Sequence, residues 1–217
     1  MEQDAIKKRI EQYVLSALIY DSKCMYALDY LSYKNFGVYL EADHQIIYKC
    51  ISEMFMKKDI DLATIAYELK TKYNKDYLNY LIELTYFVSS SENTEYHSLI
   101  IVQMDFVNKF CNMLDKLTNS SLIPLNEKVL ISDCSKDIRI GDLDIFESIS
   151  GFIRMAKHKN MSQVVIDESI KFETKIGVRI KAIKEKRASM QLMKHLEVLC
   201  KTPKQKKLLF LLKRALK

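Results

Sequence analysis

Apolar side chains recur at steps of three and four residues along most of the chain, the spacing of amphipathic helices with one inward face. Ile6, Ile10, Tyr13, Val14, Ala17 and Leu18 predict a first helix over about 4–20. Asp43 has the chemistry of an N-cap for a second, whose inward stripe is Ile47, Ile51, Met54 and Phe55, with Lys57 and Lys58 suiting the negative end of its dipole. Asp61 caps a third, with Leu62, Ile65, Ala66 and Leu69 turned inward. A fourth is expected over about 76–87 with Leu78, Leu81 and Ile82 buried, before the polar run Ser89 to Glu92, which has capping-box spacing.

From about Thr94 to Leu117 the apolar positions Leu99, Phe106, Phe110, Met113 and Leu117 form a heptad-like seam on a long helix, with Gln103 at the remaining step. Such a seam serves equally as an oligomer or partner interface and as a core stripe within one chain. Residues 119–141, with Pro124 and the Val129-Leu130-Ile131 run, follow neither helical nor strand spacing clearly and are read as irregular. A helix over about 142–158 presents Phe146, Ile149, Ile153 and Ala156, and is expected to fold back on the long helix as an antiparallel hairpin. Ser162 is the expected cap of a helix to about Lys175. One or two basic helices follow from about Ile176, the last opened by Thr202-Pro203-Lys204-Gln205 and carrying Leu208, Leu211, Leu212 and Ala215 on one side.

Composition agrees with this all-α reading and narrows the chemistry. The 217 residues are 48% hydrophobic and 29% charged, with only 4 Gly and 2 Pro, too few turn formers for a β-sandwich. Gly37, Gly141, Gly151 and Gly177 satisfy neither a P-loop nor a dinucleotide fingerprint, so the segment has no signature of a nucleotide-driven motor. His44, His97, His158 and His195 sit on different predicted helices without metal-ligand spacing, and no nucleophile elbow occurs. The Asp59 and Asp61 pair is accounted for by helix capping. The expectation is a protein with no enzyme activity, metal or cofactor.

Five cysteines, an odd number with no C-x-x-C pair, fit reduced thiols. The charged N-terminus lacks a signal-peptide core, and no apolar run approaches the ~18 residues of a membrane span. A cytoplasmic location is expected.

Charge divides the chain. Residues 154–217 hold 18 Lys and Arg against 5 Asp and Glu, a balance of +13, whereas the preceding residues carry 16 basic and 23 acidic side chains, a balance of −7. Fields of opposite sign select different partners. Lys181, Lys184, Lys186 and Arg187 form one cluster, and Lys204, Lys206 and Lys207 with Lys213 and Arg214 another. They are the candidate DNA contacts, through phosphates and without sequence preference. A dimeric DNA-binding protein whose head only oligomerises is the alternative reading. The Leu face and Lys rim of the last helix also match a membrane-surface or partner-bound helix.

Glu11-Gln12-x-Val14-Leu15, Phe36, His44-x-Ile46-Ile47-Tyr48, Asp59-Ile60-Asp61-Leu62-x-Thr64-Ile65 with Leu69, Tyr77-Leu78 through Leu84, and Asn93 to Tyr96 follow one another in an order that resembles the N-terminal domain of DnaB-type replicative helicases. The resemblance covers about residues 10–108, and Asp-Leu-x-Thr-Ile is its most specific part. It implies an all-helical head followed by a helical hairpin, forming a hexamer's collar and a docking surface for primase and loading factors, without catalysis. Residues 161–175 look like that family's linker helix. The family's ATPase has no counterpart in these residues, so helicase activity is not carried over. On this reading the chain comprises a head and first hairpin arm (1–110), a hairpin continuation and connecting loop (111–160), and a linker-like helix with a basic helical tail (161–217). Its expected partners are a replicative helicase or primase, DNA and copies of itself, and its expected work is to load, recruit or inhibit a helicase.

Overall fold

The computed structural model describes residues 2–21, 24, 31–55, 60–87, 91–138 and 145–199. Among them are eight α-helices: α1 (Glu2–Tyr20), α2 (His44–Phe55), α3 (Leu62–Tyr73), α4 (Leu78–Thr85), α5 (Thr94–Thr118), α6 (Leu125–Asp137), α7 (Ile145–His158) and α8 (Gln163–Leu199). A 3-10 turn, Tyr33–Asn35, precedes α2. The described residues contain no strand, only a lone antiparallel bridge between Val38 and Asp43. The fold is all-α, as the helical spacing predicts. Residues Met1–Gly177 form one compact unit and Val178–Lys217 a second.

The first unit is organised around α5, which packs on α1, α6 and α7 and touches the 3-10 turn. Its buried side chains, among them Ile101, Val102, Met104, Phe106, Val107, Phe110 and Leu114, cover more than one face of the helix. The head closes when α1 meets α2, α4 and α5, α2 meets α3, and α3 meets α4. On α1 the inward face is Glu11, Val14, Leu15 and Leu18, at steps of three and four residues, whereas Ile6 is exposed. Asn35 anchors the 3-10 turn to α5 by donating from Nδ2 to buried Asp105 at 2.9 Å, and Lys109 pairs with the same carboxylate at 2.6 Å.

Two caps follow the sequence reading. Asp43 Oδ1 accepts from the Ile46 amide at 3.1 Å at the start of α2. Asp61 accepts from the Thr64 amide at 2.9 Å, and Thr64 Oγ1 accepts from the Asp61 amide at 3.2 Å, a reciprocal box that opens α3. α3 ends at Asn74 in the left-handed region (φ 52°), where Asn is among the better tolerated side chains. Lys57, Lys58 and the proposed Ser89 cap lie outside the described residues.

The structure corrects four expectations. Residues 119–141 are not irregular throughout: Pro124 adopts an extended conformation immediately before α6, so the proline opens the helix instead of breaking it. Hence α6, as well as α7, packs on α5. Ser162 does not cap α8 with its hydroxyl, whose oxygen has no hydrogen-bond partner among the described residues. Instead the Ser162 amide donates to both carboxylate oxygens of buried Glu127 on α6, each at 3.0 Å. α8 does not stop near Lys175 but runs to Leu199. Finally, α4 buries Tyr80, Leu81 and Leu84, leaving Leu78 and Ile82 exposed.

The first part of α8 packs by Val165, Ser169 and Ile176, with the Phe172 ring 5.4 Å from that of Phe110 and Glu173 bonded to Ser150 of α7. Phe110 also meets Phe152 edge-on at 5.7 Å, so one ring joins α5, α7 and α8. Phe110→Ala is expected to lower the unfolding free energy by about 3–5 kcal/mol in urea titration, with Leu122→Ala, on the exposed turn before α6, within about 0.5 kcal/mol of wild type.

Candidate functional site

A charged side chain on the inward face of α1 is the most unusual position in the head. Glu11 is fully buried, and its carboxylate is surrounded by donors. The Gly37 amide donates to both oxygens at 3.0 Å, His44 Nδ1 lies 2.8 Å from Oε2, Tyr39 adds a hydroxyl, and Lys7 Nζ stands 3.6 Å away one turn earlier. The other His44 nitrogen, Nε2, meets the Tyr80 oxygen at 2.6 Å, and Gln12 Nε2 donates to that oxygen at 3.0 Å. One arrangement satisfies every atom: Gln12 donates to Tyr80, the Tyr80 hydroxyl donates to Nε2, and Nδ1–H donates to Glu11.

Burial, then the charge of Glu11, pushes the Tyr39 hydroxyl well above its ordinary pKa. Burial also raises Tyr80, against the opposing pull of the Gln12 hydrogen bond. Both therefore keep their hydrogens at neutral pH and act as donors. Gly37 permits a close approach: a Cβ there would lie 2.7 Å from the Tyr39 ring and push it from its place beside Glu11.

Glutamate, histidine and a hydroxyl in sequence look like a proton relay, yet Glu11 and His44 have no exposed surface on which to meet a substrate. The network ties α1, the 37–43 loop, α2 and α4 together. It is a structural centre. His97 stacks on Tyr13 at 5.3 Å, and burial lowers its pKa. Among the described residues no group of three or more His, Cys, Asp or Glu could hold a metal. No helix among them is long and apolar enough to cross a membrane.

Residues 4–103 match the family model described as the DnaB-like helicase N-terminal domain. Over these residues the head is similar to that domain. No curated protein matches the chain. The match gives it a replication-related, helicase-associated role, and a DnaB-like head is by itself non-catalytic. The residues that carry the family pattern are explained by folding chemistry: Glu11, Gln12 and His44 belong to the buried network, and Asp61 with Thr64 to the α3 cap.

Docking on such a head requires exposed side chains, and one group of these lies on α4. Leu78, Ile82 and Tyr86 recur at four-residue steps and are 43%, 39% and 83% exposed, forming a stripe along the outer side of α4 and its C-cap. A second exposed group, Leu122, Leu125 and Val129, lies at the start of α6. The α5 seam is placed differently. Phe106, Phe110 and Leu117 are buried within this chain and Leu99 and Met113 are half-buried, the arrangement of a core stripe.

Of the basic candidates, Lys181, Lys184 and Lys186 are exposed on the part of α8 that belongs to the second unit. Lys181 and Lys184 share one face and Lys186 points roughly to the other side, so the charge surrounds the helix. Glu185 reaches Lys181 only at 4.0 Å. The Arg187 backbone continues α8, but its side chain, with Lys204, Lys206, Lys207, Lys213 and Arg214, lies outside what the structure describes.

The outer α4 stripe was missed by periodicity alone. Its signal is present nonetheless, because Leu78, Tyr80, Leu81, Ile82 and Leu84 are more apolar residues than one face of a two-turn helix can bury. Tyr80→Phe keeps the ring but takes the hydroxyl from between Gln12 and His44. Urea unfolding of that variant is expected to show a loss of about 1–3 kcal/mol, with Tyr86→Phe unchanged.

Proposed function

We propose that this protein is a non-catalytic DNA replication factor whose head docks on a replicative helicase or on primase, acting as a loader, recruiter or inhibitor, while its basic tail contacts DNA. The DnaB-like head carries this reading. A head of this family offers collar-type contacts, with its own copies or with helicase subunits, and the sequence described here has no P-loop spacing that would make it a motor. Occupying a subunit's place on the ring is then enough to recruit or block.

The exposed stripe Leu78, Ile82 and Tyr86 supports a protein partner, since a row of large apolar and aromatic side chains gains most when a second surface removes it from water. The exposed lysines of α8 support the DNA contact. Phosphate contacts of this kind release counterions, so the affinity falls steeply with salt and does not depend on sequence. The cytoplasm is the setting in which both partners meet the chain.

Light scattering of the full chain mixed with a replicative helicase, and separately with primase, tests the docking claim. A complex with one of them is expected in low salt, weakened at least tenfold by Ile82→Glu with Tyr86→Glu while thermal melting is preserved. No complex with either protein refutes it. For the tail, replacing Lys181, Lys184 and Lys186 with Gln should make the log–log salt dependence of duplex DNA binding shallower by about 2 to 3, at roughly 0.9 per lost phosphate contact.

A further inference from the structure

A different surface of the head places rings and ammonium groups in alternation. Tyr33 and Lys34 come from the 3-10 turn, Lys49 from the middle of α2, and Lys72 and Tyr73 from the end of α3. Lys34 Nζ lies 5.9 Å from the Tyr33 ring centroid, and Lys49 Nζ stands 5.6 Å from the same ring. Lys49 is also 5.8 Å from the Tyr73 ring, which has Lys72 Nζ 5.3 Å away. The order is Lys34, Tyr33, Lys49, Tyr73, Lys72: three cations separated by two rings, assembled from three elements.

The charge of this row is incompletely balanced. Glu53, one turn after Lys49 on α2, pairs with Lys72 and accepts from the Tyr73 hydroxyl at 3.1 Å. Lys72 is the main cause holding that carboxyl below its usual range, and Lys49 adds a weaker pull from further away. Among the described residues neither Lys34 nor Lys49 has an ion-pair partner within 4.0 Å. Lys34 and Lys72 are exposed, Tyr33 retains 38% of its surface, and Lys49 and Tyr73 are half-buried. The row is therefore a locally cationic strip on a body whose first 153 residues are net acidic.

We propose that this strip binds single-stranded nucleic acid. Alternating rings and ammonium groups match the two repeating parts of such a strand, flat bases and charged phosphates. A duplex keeps its base faces stacked and out of reach, and an acidic peptide offers carboxylates but nothing flat for the tyrosines. On binding, Lys34 leaves the Tyr33 face to take a phosphate, and a base occupies the ring it uncovers. Tyrosine suits the task because its large face is fixed by only two side-chain torsions. The site is separate from the α8 lysines and adds a short contact on the head to whatever the tail holds.

The test uses the full chain and an oligo-dT strand carrying bromodeoxyuridine, photo-crosslinked and mapped by mass spectrometry, with affinity followed by fluorescence anisotropy. Crosslinks at Tyr33 and Tyr73 are expected in wild type and in the Lys181→Gln, Lys184→Gln, Lys186→Gln variant alike. In that triple-Gln background, Lys34→Gln with Lys49→Gln should weaken the oligonucleotide about tenfold. Tyr33→Leu, which keeps every charge, should weaken it measurably as well, and thermal melting should show both variants folded. Loss of all head crosslinks when only the three α8 lysines are replaced overturns the proposal while leaving the α8 contact standing. So does equal competition by a poly-Glu peptide together with indifference to Tyr33→Leu, which would make the strip an acidic-peptide site. Head crosslinks without any effect of the triple variant would uphold this site and remove the contact at Lys181, Lys184 and Lys186.

Discussion

A carboxylate taken out of water must be resolvated by the protein, and Glu11 shows how much of a fold that requirement can organise. An ionised side chain left bare in an apolar interior costs far more than a domain's net stability. Here an amide from the 37–43 loop, an imidazole from α2 and a loop hydroxyl converge on it, and Tyr80 of α4 completes the set from behind His44. Four pieces of chain, separated by up to 69 positions in sequence, must be in register before all of these groups are satisfied. Apolar packing around Val14, Leu15, Ile47, Ile51 and Leu81 tolerates small adjustments, whereas this set of hydrogen bonds does not. The network thus specifies one arrangement of the head where burial alone would permit several.

That rigidity bears on how the surface is used. With the interior fixed, the backbone that carries the outer side of α4 and the Lys–Tyr row between the 3-10 turn, α2 and α3 is held in place, while the long lysine side chains of the row stay free to re-aim. The two surfaces differ in chemistry. One is apolar with a terminal tyrosine and suits a protein face; the other is cationic and aromatic and suits a charged, planar ligand.

Much of the fold can be read from the amino-acid order. Helix spacing gives α1, α2, α3, α5 and α7 closely, because each has a dominant apolar stripe, and Asp43 and Asp61 mark two starts through capping chemistry. α6 escaped because its apolar residues are few, with Val129 outward and Ile131 inward, and because a proline just before a helix is easily taken for a break. The α5 seam was ambiguous for a different reason. Heptad spacing records that a face is buried, not whether the covering residues belong to the same chain, and here α6, α7 and α8 supply cover for Phe110 and its neighbours. The Lys–Tyr row could not be seen at all, since residues 33–34, 49 and 72–73 become adjacent only when three elements meet. Glu11 was visible as a family feature, but its role needed the loop that brings Gly37 and Tyr39 to it.

The Glu127 carboxylate, gripping the Ser162 amide with both oxygens, makes the hairpin and the beginning of α8 mechanically one piece. A hydrogen bond weakens within a fraction of an ångström, so a shift of α6 that carries Glu127 away removes this contact, and fraying of the first turn of α8 takes the Ser162 donor from the buried acid. The carboxylate thus adds a directional tie to the apolar contacts that already seat the start of α8.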